Sequence, residues 1–184
     1  MNKTTQFIKQ AKTIWLTGLS GSGKSTLACA LQQRLTEAGI KSVLLDGDEI
    51  RKGVNSDLGF TVKDRTENNR RVAEMARLIN QNGLTAIVAM ISPTNSIRGI
   101  ARRVIGTEHF ILIHLNTPLE VCEKRDCKNL YKEARTGQIN NFTGISSPFE
   151  EPRDANYVVN FDSNRNEDLN NILELLNSIK LNKS

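Results

Sequence analysis

Cysteine is scarce in this 184-residue sequence, and the three present, Cys29, Cys122 and Cys127, are odd in number and form no CxxC pair. That excludes a disulfide framework and a paired zinc site. Reduced thiols in a cytoplasmic setting are therefore expected. Long hydrophobic runs are missing too: no stretch approaches the roughly 20 apolar residues that cross a bilayer. The start, residues 1–12, carries lysines without an apolar run of signal-peptide length, so neither a membrane role nor export is expected. Histidine is also rare, and His109 and His114 are read as core or surface residues rather than catalysts. No internal repeat, low-complexity tract or domain linker interrupts the chain.

What is present is ordinary for a packed protein: 38% apolar and 24% charged residues, too apolar for a disordered chain. The length suits one domain over residues 1–184. The net charge of +5 suits an anionic partner, whether nucleic acid, membrane surface or phosphorylated small molecule, and does not choose among them. Short apolar runs at 14–17, 42–45, 84–90, 110–115 and 157–161 alternate with helical periodicity at 24–38, 64–82 and 166–181. Apolar strands between helices predict a three-layer α/β fold, a five-stranded parallel sheet with helices on both faces. Trp15 falls in the first strand and is assigned to the core, while Cys29 and Cys122 are expected to pack as small apolar groups in helices. Residues 124–152 break the alternation. They are polar, basic and rich in Gly, Asn and Ser around a short helical patch at 130–135, and read as a mobile lid.

Gly18-Leu19-Ser20-Gly21-Ser22-Gly23-Lys24-Ser25 fits G-x-x-x-x-G-K-[ST] and lies between a strand and a helix, where a phosphate loop has to be. Glycines let the backbone turn its N–H groups inward, and the helix N-terminus adds positive potential. Lys24 then reaches the β- and γ-phosphates of a nucleotide, and the Ser25 hydroxyl can coordinate Mg²⁺. Such a loop suits a GTPase, an ATPase motor or a small-molecule kinase equally. Discrimination comes from downstream. Asp46-Gly47-Asp48 ends the second strand at the ligand-binding edge of the sheet. It reads either as a turn with capping aspartates or as two working carboxylates, one organising Mg²⁺ through water and one accepting the proton of an attacking hydroxyl. Arg51, the run Asp57-Leu58-Gly59-Phe60 and the run Arg65-Thr66-Glu67-Asn68-Asn69-Arg70-Arg71 follow. Arginine forks suit phosphate or sulfate oxygens, and Phe60 offers a face for a base. Arg51 and Arg65 are assigned to the ligand, Arg70 and Arg71 to a solvated helix face.

These blocks, with Ile91-Ser92-Pro93, 117–122, 130–135 and Asn141-Phe142-Thr143-Gly144, resemble successive signatures of the adenylylsulfate kinase family over residues 14–152. The resemblance implies a P-loop NTPase fold and transfer of the γ-phosphate of MgATP to the 3′-hydroxyl of adenosine 5′-phosphosulfate. It implies that Gly18 to Ser25, Thr26 and the lid residues Arg125 and Lys128 bind the donor. Asp46, Asp48, Arg51, Phe60, Arg65, Asn68, Ile91, Ser92, Lys132 and Phe142 would line the acceptor site. Phe60 and Phe142 would enclose its adenine, and Asp48 would lie near its 3′-hydroxyl. Lys24, Asp48 and Ser92 form the implied catalytic set, Ser92 matching a serine described in the family as a phosphorylated intermediate. Partners would be small nucleotides rather than nucleic acid, in cytoplasmic sulfate assimilation, with a homodimer allowed. The chain departs from the pattern at Thr94-Asn95, where the family has an aromatic and an arginine, and at Cys127, where it has a proline. Either Arg98 replaces the missing cation or the pocket takes another acceptor. Alternatives are a kinase of another nucleotide, such as cytidine diphosphoramidate, and a nucleotide-binding switch without turnover.

Overall fold

Alternation along the first strand decides the layering. A computed structural model describes residues 11–126 and 128–178, and in it β1 (Thr13–Thr17) is buried along its whole length. Successive side chains of a strand point to opposite faces. Ile14 and Leu16 therefore enter one apolar cluster, with Leu27 and Leu31 of α1 (Lys24–Glu37) and Ile172 and Leu176 of α7 (Arg165–Ser178). Trp15 enters the opposite one, with Val72 and Ala76 of α3 (Val62–Gln81) and Ala101 and Ile105 of α4 (Asn95–Ile105). Each large apolar side chain so buried contributes about 1.5–3 kcal/mol against exposure. Trp15 is a core residue, in line with the expectation from its strand.

The remaining strands are β2 (Ser42–Asp46), β3 (Thr85–Ala89), β4 (Phe110–Asn116) and β5 (Tyr157–Asn160), all paired in parallel in the order β2-β3-β1-β4-β5. The expected five-stranded parallel sheet with helices on both faces is the observed architecture. Because β1 is central, its carboxyl end and the loop after it open between the ends of β3 and β4.

Two helices are not foreseen by the sequence pattern, α2 (Gly47–Lys52) and α4, while α5 (Leu119–Arg125) is the helix in which Cys122 was expected. In α4 the apolar stripe Ile97, Ala101, Ile105 shares its buried face with Arg98, and its start is fixed by Thr94, whose hydroxyl accepts from the Ile97 amide. Helix α3 begins at Val62 rather than 64 because Thr61 caps it, accepting from the Asp64 amide. Cys122 is buried as expected, but Cys29 is exposed on α1, so its thiol does not pack into the core. The expected extension of the last helix to 181, the segment 1–10 and Cys127 lie outside the described residues. Among the described residues no helix is long and apolar enough to cross a membrane.

The segment read as a lid has a small core of its own. Cys122 at its base, Tyr131 and Ala134 of α6 (Leu130–Arg135) and Phe142 are buried together, against Leu19 of the phosphate loop and Leu119. Asp126 orients α6 by accepting from the Tyr131 and Lys132 amides at 3.0 and 3.1 Å.

Candidate active site

Every carbonyl from Gly18 to Ser22 is held by a side chain. The Lys24 ammonium donates to the Gly18 and Leu19 oxygens at 3.0 and 2.6 Å. The Tyr131 hydroxyl donates to Ser20 at 2.9 Å, Arg125 to Gly21 at 3.1 Å and Thr117 to Ser22 at 3.0 Å. In a planar trans peptide the C=O and the following N–H point in opposite directions. Carbonyls fastened outward therefore turn the loop's amides inward, apart from the Ser22 amide, which closes a turn onto Leu19. The first turn of α1 adds its own donors, since Gly23 supplies no side-chain cap. This is a nest for an anion. Gly18 is required there by space: a Cβ would come within 2.8 Å of the Leu115 carbonyl oxygen. Burial pulls the Lys24 pKa down to about 8, against the opposing charges of Cys122, Asp48 and Asp46. A phosphate in the nest would restore the full cation.

Ser25 and Asp46 meet beside the nest, the hydroxyl donating to Asp46 Oδ2 at 2.6 Å. The other oxygen, Oδ1, accepts from the Asp48 amide at 2.9 Å and caps α2. Asp46 is thus both the capping aspartate and a carboxylate facing the phosphate loop. Ser25 is exposed and Asp46 half-buried. Both offer hard oxygen donors, and they fit Mg²⁺, which keeps most of its ligands as water and phosphate oxygens. Thr26 is exposed in the same first turn of α1. Asp48 projects one residue into α2, and its carboxylate pairs with Lys128 of the lid. It acts electrostatically on both Lys24 and Arg51.

On the far side of Asp48 stands a wall of arginine and phenylalanine. Phe60 is 56% exposed, with the Arg51 and Arg65 guanidiniums 4.4 and 5.5 Å from its ring centroid. Arg51 donates to the Leu58 and Gly59 carbonyls, while Arg65 reaches from the Phe60 carbonyl to that of Asn141, at 2.9 and 2.7 Å. Arg65 therefore ties Phe60 to the residue before Phe142. Burial lowers the pKa of both arginines, and the charge of Arg51 adds to this at Arg65. An anionic ligand would relieve that cost. Phe142 is buried in the lid core rather than standing free. Lys132 is exposed on α6, and Arg125 also lies 5.5 Å from the Phe161 ring centroid.

Residues 10–160 match the family model of adenylylsulphate kinase. The chain belongs to the adenylylsulphate kinase family. An adenylyl-sulfate kinase of Phocaeicola vulgatus is 50% identical over 166 residues, 89% of this chain and 80% of the relative. One of Clostridium acetobutylicum is 45% identical over 181 residues, 98% and 90% of the two chains. Among solved structures, the Mycobacterium tuberculosis APS kinase CysC in complex with AMPPNP and APS superposes with a TM-score of 0.87 at 42% identity. That match covers 92% of this chain and 99% of the other. Acinetobacter baumannii shikimate kinase, at 20% identity and a TM-score of 0.62, shares the fold alone.

Within this family member, several residues assigned from the sequence lie elsewhere than on the cleft surface. Ser92 is 1% exposed with φ +44°, and its hydroxyl accepts from Trp15 Nε1 at 2.9 Å while donating to Asn69 Oδ1 at 2.7 Å. Its proton and lone pair are occupied inside the fold. Asn68 is buried, its Oδ1 accepting from Asn55 at 2.8 Å. The Ile91 carbonyl accepts from Thr17 at 2.6 Å. Arg98 does not replace the missing cation: it is buried and donates to the Ser92 carbonyl, Asn95 Oδ1 and the Glu150 carbonyl at 2.6, 2.7 and 2.5 Å. Arg71, read as solvated, forks onto Asp57 at 2.8 and 2.9 Å and also meets Glu67. It anchors the loop that carries Phe60. Thr117 and Tyr131, which hold carbonyls of the phosphate loop, and Asn55, which holds Asn68, are supports that sequence reasoning misses, although the first two fall inside blocks that carry the family resemblance.

Proposed function

We propose that this chain is an adenylylsulfate kinase that transfers the γ-phosphate of ATP to the 3′-hydroxyl of adenosine 5′-phosphosulfate, giving 3′-phosphoadenylylsulfate and ADP. The observation that carries the reading is the place of Asp48: its amide is held by Asp46, the carboxylate that takes the Ser25 hydroxyl of the phosphate loop, its side chain pairs with Lys128, and Arg51 stands in the same short helix beside Phe60.

In this reading the nest from Gly18 to Thr26 binds the triphosphate, with Arg125 and Lys128 closing over it. Lys24 follows the charge as it moves onto the leaving β-phosphate. Arg51 and Arg65 hold the phosphosulfate oxygens through their forks, and Phe60 and Phe142 receive the adenine. Asn68, Ile91 and Ser92 complete the acceptor side from behind, and Lys132 adds a cation from the exposed face of α6. Asp48 releases Lys128 and accepts the proton of the 3′-hydroxyl. Ser25 and Asp46 would hold Mg²⁺, which supplies neutralisation of the phosphate oxygens. With the Ser92 hydroxyl occupied by Trp15 and Asn69, direct transfer is the route that needs no rearrangement of the core. Residues 1–184 act as one kinase unit with residues 124–152 as its lid, in a reducing cytoplasm.

The test is ADP release by purified protein with ATP and Mg²⁺, with adenosine 5′-phosphosulfate, with cytidine diphosphoramidate and without acceptor. Turnover confined to adenosine 5′-phosphosulfate supports the reading. Preference for the cytidine compound assigns a different acceptor, and no acceptor-dependent turnover leaves a nucleotide-binding switch.

A further inference from the structure

Tyr131 touches both halves of the site from one position. It lies in the first turn of α6 and is 3% exposed. Its hydroxyl donates to the Ser20 carbonyl of the phosphate loop at 2.9 Å. Its ring meets Phe142 edge-on, with centroids 5.0 Å apart and planes at 79°. We infer that Tyr131 is a positioning residue that joins the acceptor wall to the shape of the phosphate loop, so that each substrate's site feels the other's occupancy. The inference rests on the kinase reading above and deepens it by naming the residue through which donor and acceptor communicate.

At the donor end the coupling acts on the Ser20–Gly21 peptide. Its carbonyl is fastened to Tyr131, so planarity turns the Gly21 amide the opposite way, toward the anion nest. Lys24 and Thr117 hold other carbonyls of the loop from positions that belong to α1 and to the end of β4. Arg125 holds Gly21 from α5, with a charged and exposed side chain. Tyr131 is the tie that comes from α6, and its side chain is itself buried. Burial, with Cys122 beside it, pushes the phenol's pKa up, so the hydroxyl keeps its proton and stays a donor. A tyrosine has only two rotatable side-chain torsions, and the backbone at its root is itself fixed by Asp126. The ring and the hydroxyl therefore move with α6 as one piece. A base packing against Phe142 presses on the Tyr131 ring, and the same ring carries the group that orients Ser20.

The test uses Tyr131→Phe, which keeps the ring and its contact with Phe142 and removes only the hydroxyl, and Tyr131→Leu, which removes both. Calorimetry measures binding of AMPPNP with Mg²⁺ and of adenosine 5′-phosphosulfate, each alone and with the other bound, alongside the melting temperature of the ligand-free proteins. Tyr131→Phe should bind AMPPNP roughly two- to tenfold more weakly, the size of one lost neutral hydrogen bond. It should bind adenosine 5′-phosphosulfate alone as the wild type does. The mutual effect of the two ligands, present in the wild type, should shrink toward none. Tyr131→Leu should weaken the acceptor as well. Unchanged AMPPNP affinity in Tyr131→Phe, equal loss of both affinities, or a wild type in which neither ligand affects the other would overturn the inference. Failure of the kinase reading looks different: the wild type then does not turn over adenosine 5′-phosphosulfate, whatever the AMPPNP titrations give.

Discussion

Lys128, just before α6, and Asp48 of α2 form an ion pair that joins one segment of the chain to another, with both side chains largely exposed to solvent. Such a pair contributes little to stability, about 0–1 kcal/mol. It is easily exchanged, as it must be if Lys128 is to turn to a phosphate and leave Asp48 free for a hydroxyl.

Asp48→Asn keeps the shape of the side chain and removes its basic oxygen. AMPPNP should still bind by calorimetry, while kcat for ADP release should fall by about 100- to 10,000-fold, the usual reach of general-base catalysis. If Asp48 also steadies the magnesium, raising Mg²⁺ recovers part of the rate. Near wild-type turnover would move the base role to Asp46.

Lys24→Ala should lose activity by orders of magnitude. The pH dependence of stability gives a second readout. The folded pKa of Lys24 is about 8 against an ordinary lysine value of 10.5, so between those values the unfolded chain holds a proton that the folded one has released. Wild-type stability therefore gains with rising pH in that window relative to a variant without the lysine. The melting temperature of Lys24→Ala minus that of the wild type should decrease from about pH 7 to about pH 10. A constant difference would mean that the ammonium bears no desolvation cost in the fold.

Ser92→Ala leaves Trp15 Nε1 and Asn69 Oδ1 without their partner in a buried place. A loss of about 1–3 kcal/mol in unfolding free energy is expected, measured by urea denaturation. Wild-type protein incubated with ATP should show no phosphoserine at Ser92 by mass spectrometry. Phosphorylation there at a stoichiometry that tracks turnover would contradict direct transfer.

Phe60 is exposed, so Phe60→Ala should leave the melting temperature nearly unchanged, and if Phe60 receives the acceptor base the loss falls on the acceptor. Stacking of a base contributes about 1–3 kcal/mol, and the acceptor KM should rise accordingly while the KM for ATP stays close to wild type. Equal rises in both would remove Phe60 from the acceptor site.

What could be read from the sequence was local. The phosphate loop was legible because its chemistry demands a fixed spacing of glycines, lysine and serine between a strand and a helix. The strands were legible because runs such as 84–90 are too short for a core helix and too apolar for a surface loop. Helix α4 was passed over although Ile97, Ala101 and Ile105 keep helical spacing, because a charged residue, Arg98, shares their buried face. Tyr131 and Arg98 were illegible on different grounds: Tyr131 meets Ser20 from 111 residues away and Arg98 meets the Glu150 carbonyl from 52, and no periodicity encodes such a meeting. At Arg98, charge read without packing misleads. A spare cation in the sequence is, in the fold, the clamp that holds Ser92, Asn95 and the Glu150 segment together.

The outward ties of the phosphate loop also set a timetable for the nascent chain. The loop leaves the ribosome early, but three of its anchors, Thr117, Arg125 and Tyr131, follow the residues they hold by 95, 104 and 111 positions. At about 5–20 residues per second, the loop waits roughly 5–20 s before Tyr131 has been synthesised. Until then the carbonyls of Ser20, Gly21 and Ser22 wait for their partners, while β1, β2, β3, α1 and α3, all in the N-terminal half, can already pair and pack on their apolar faces.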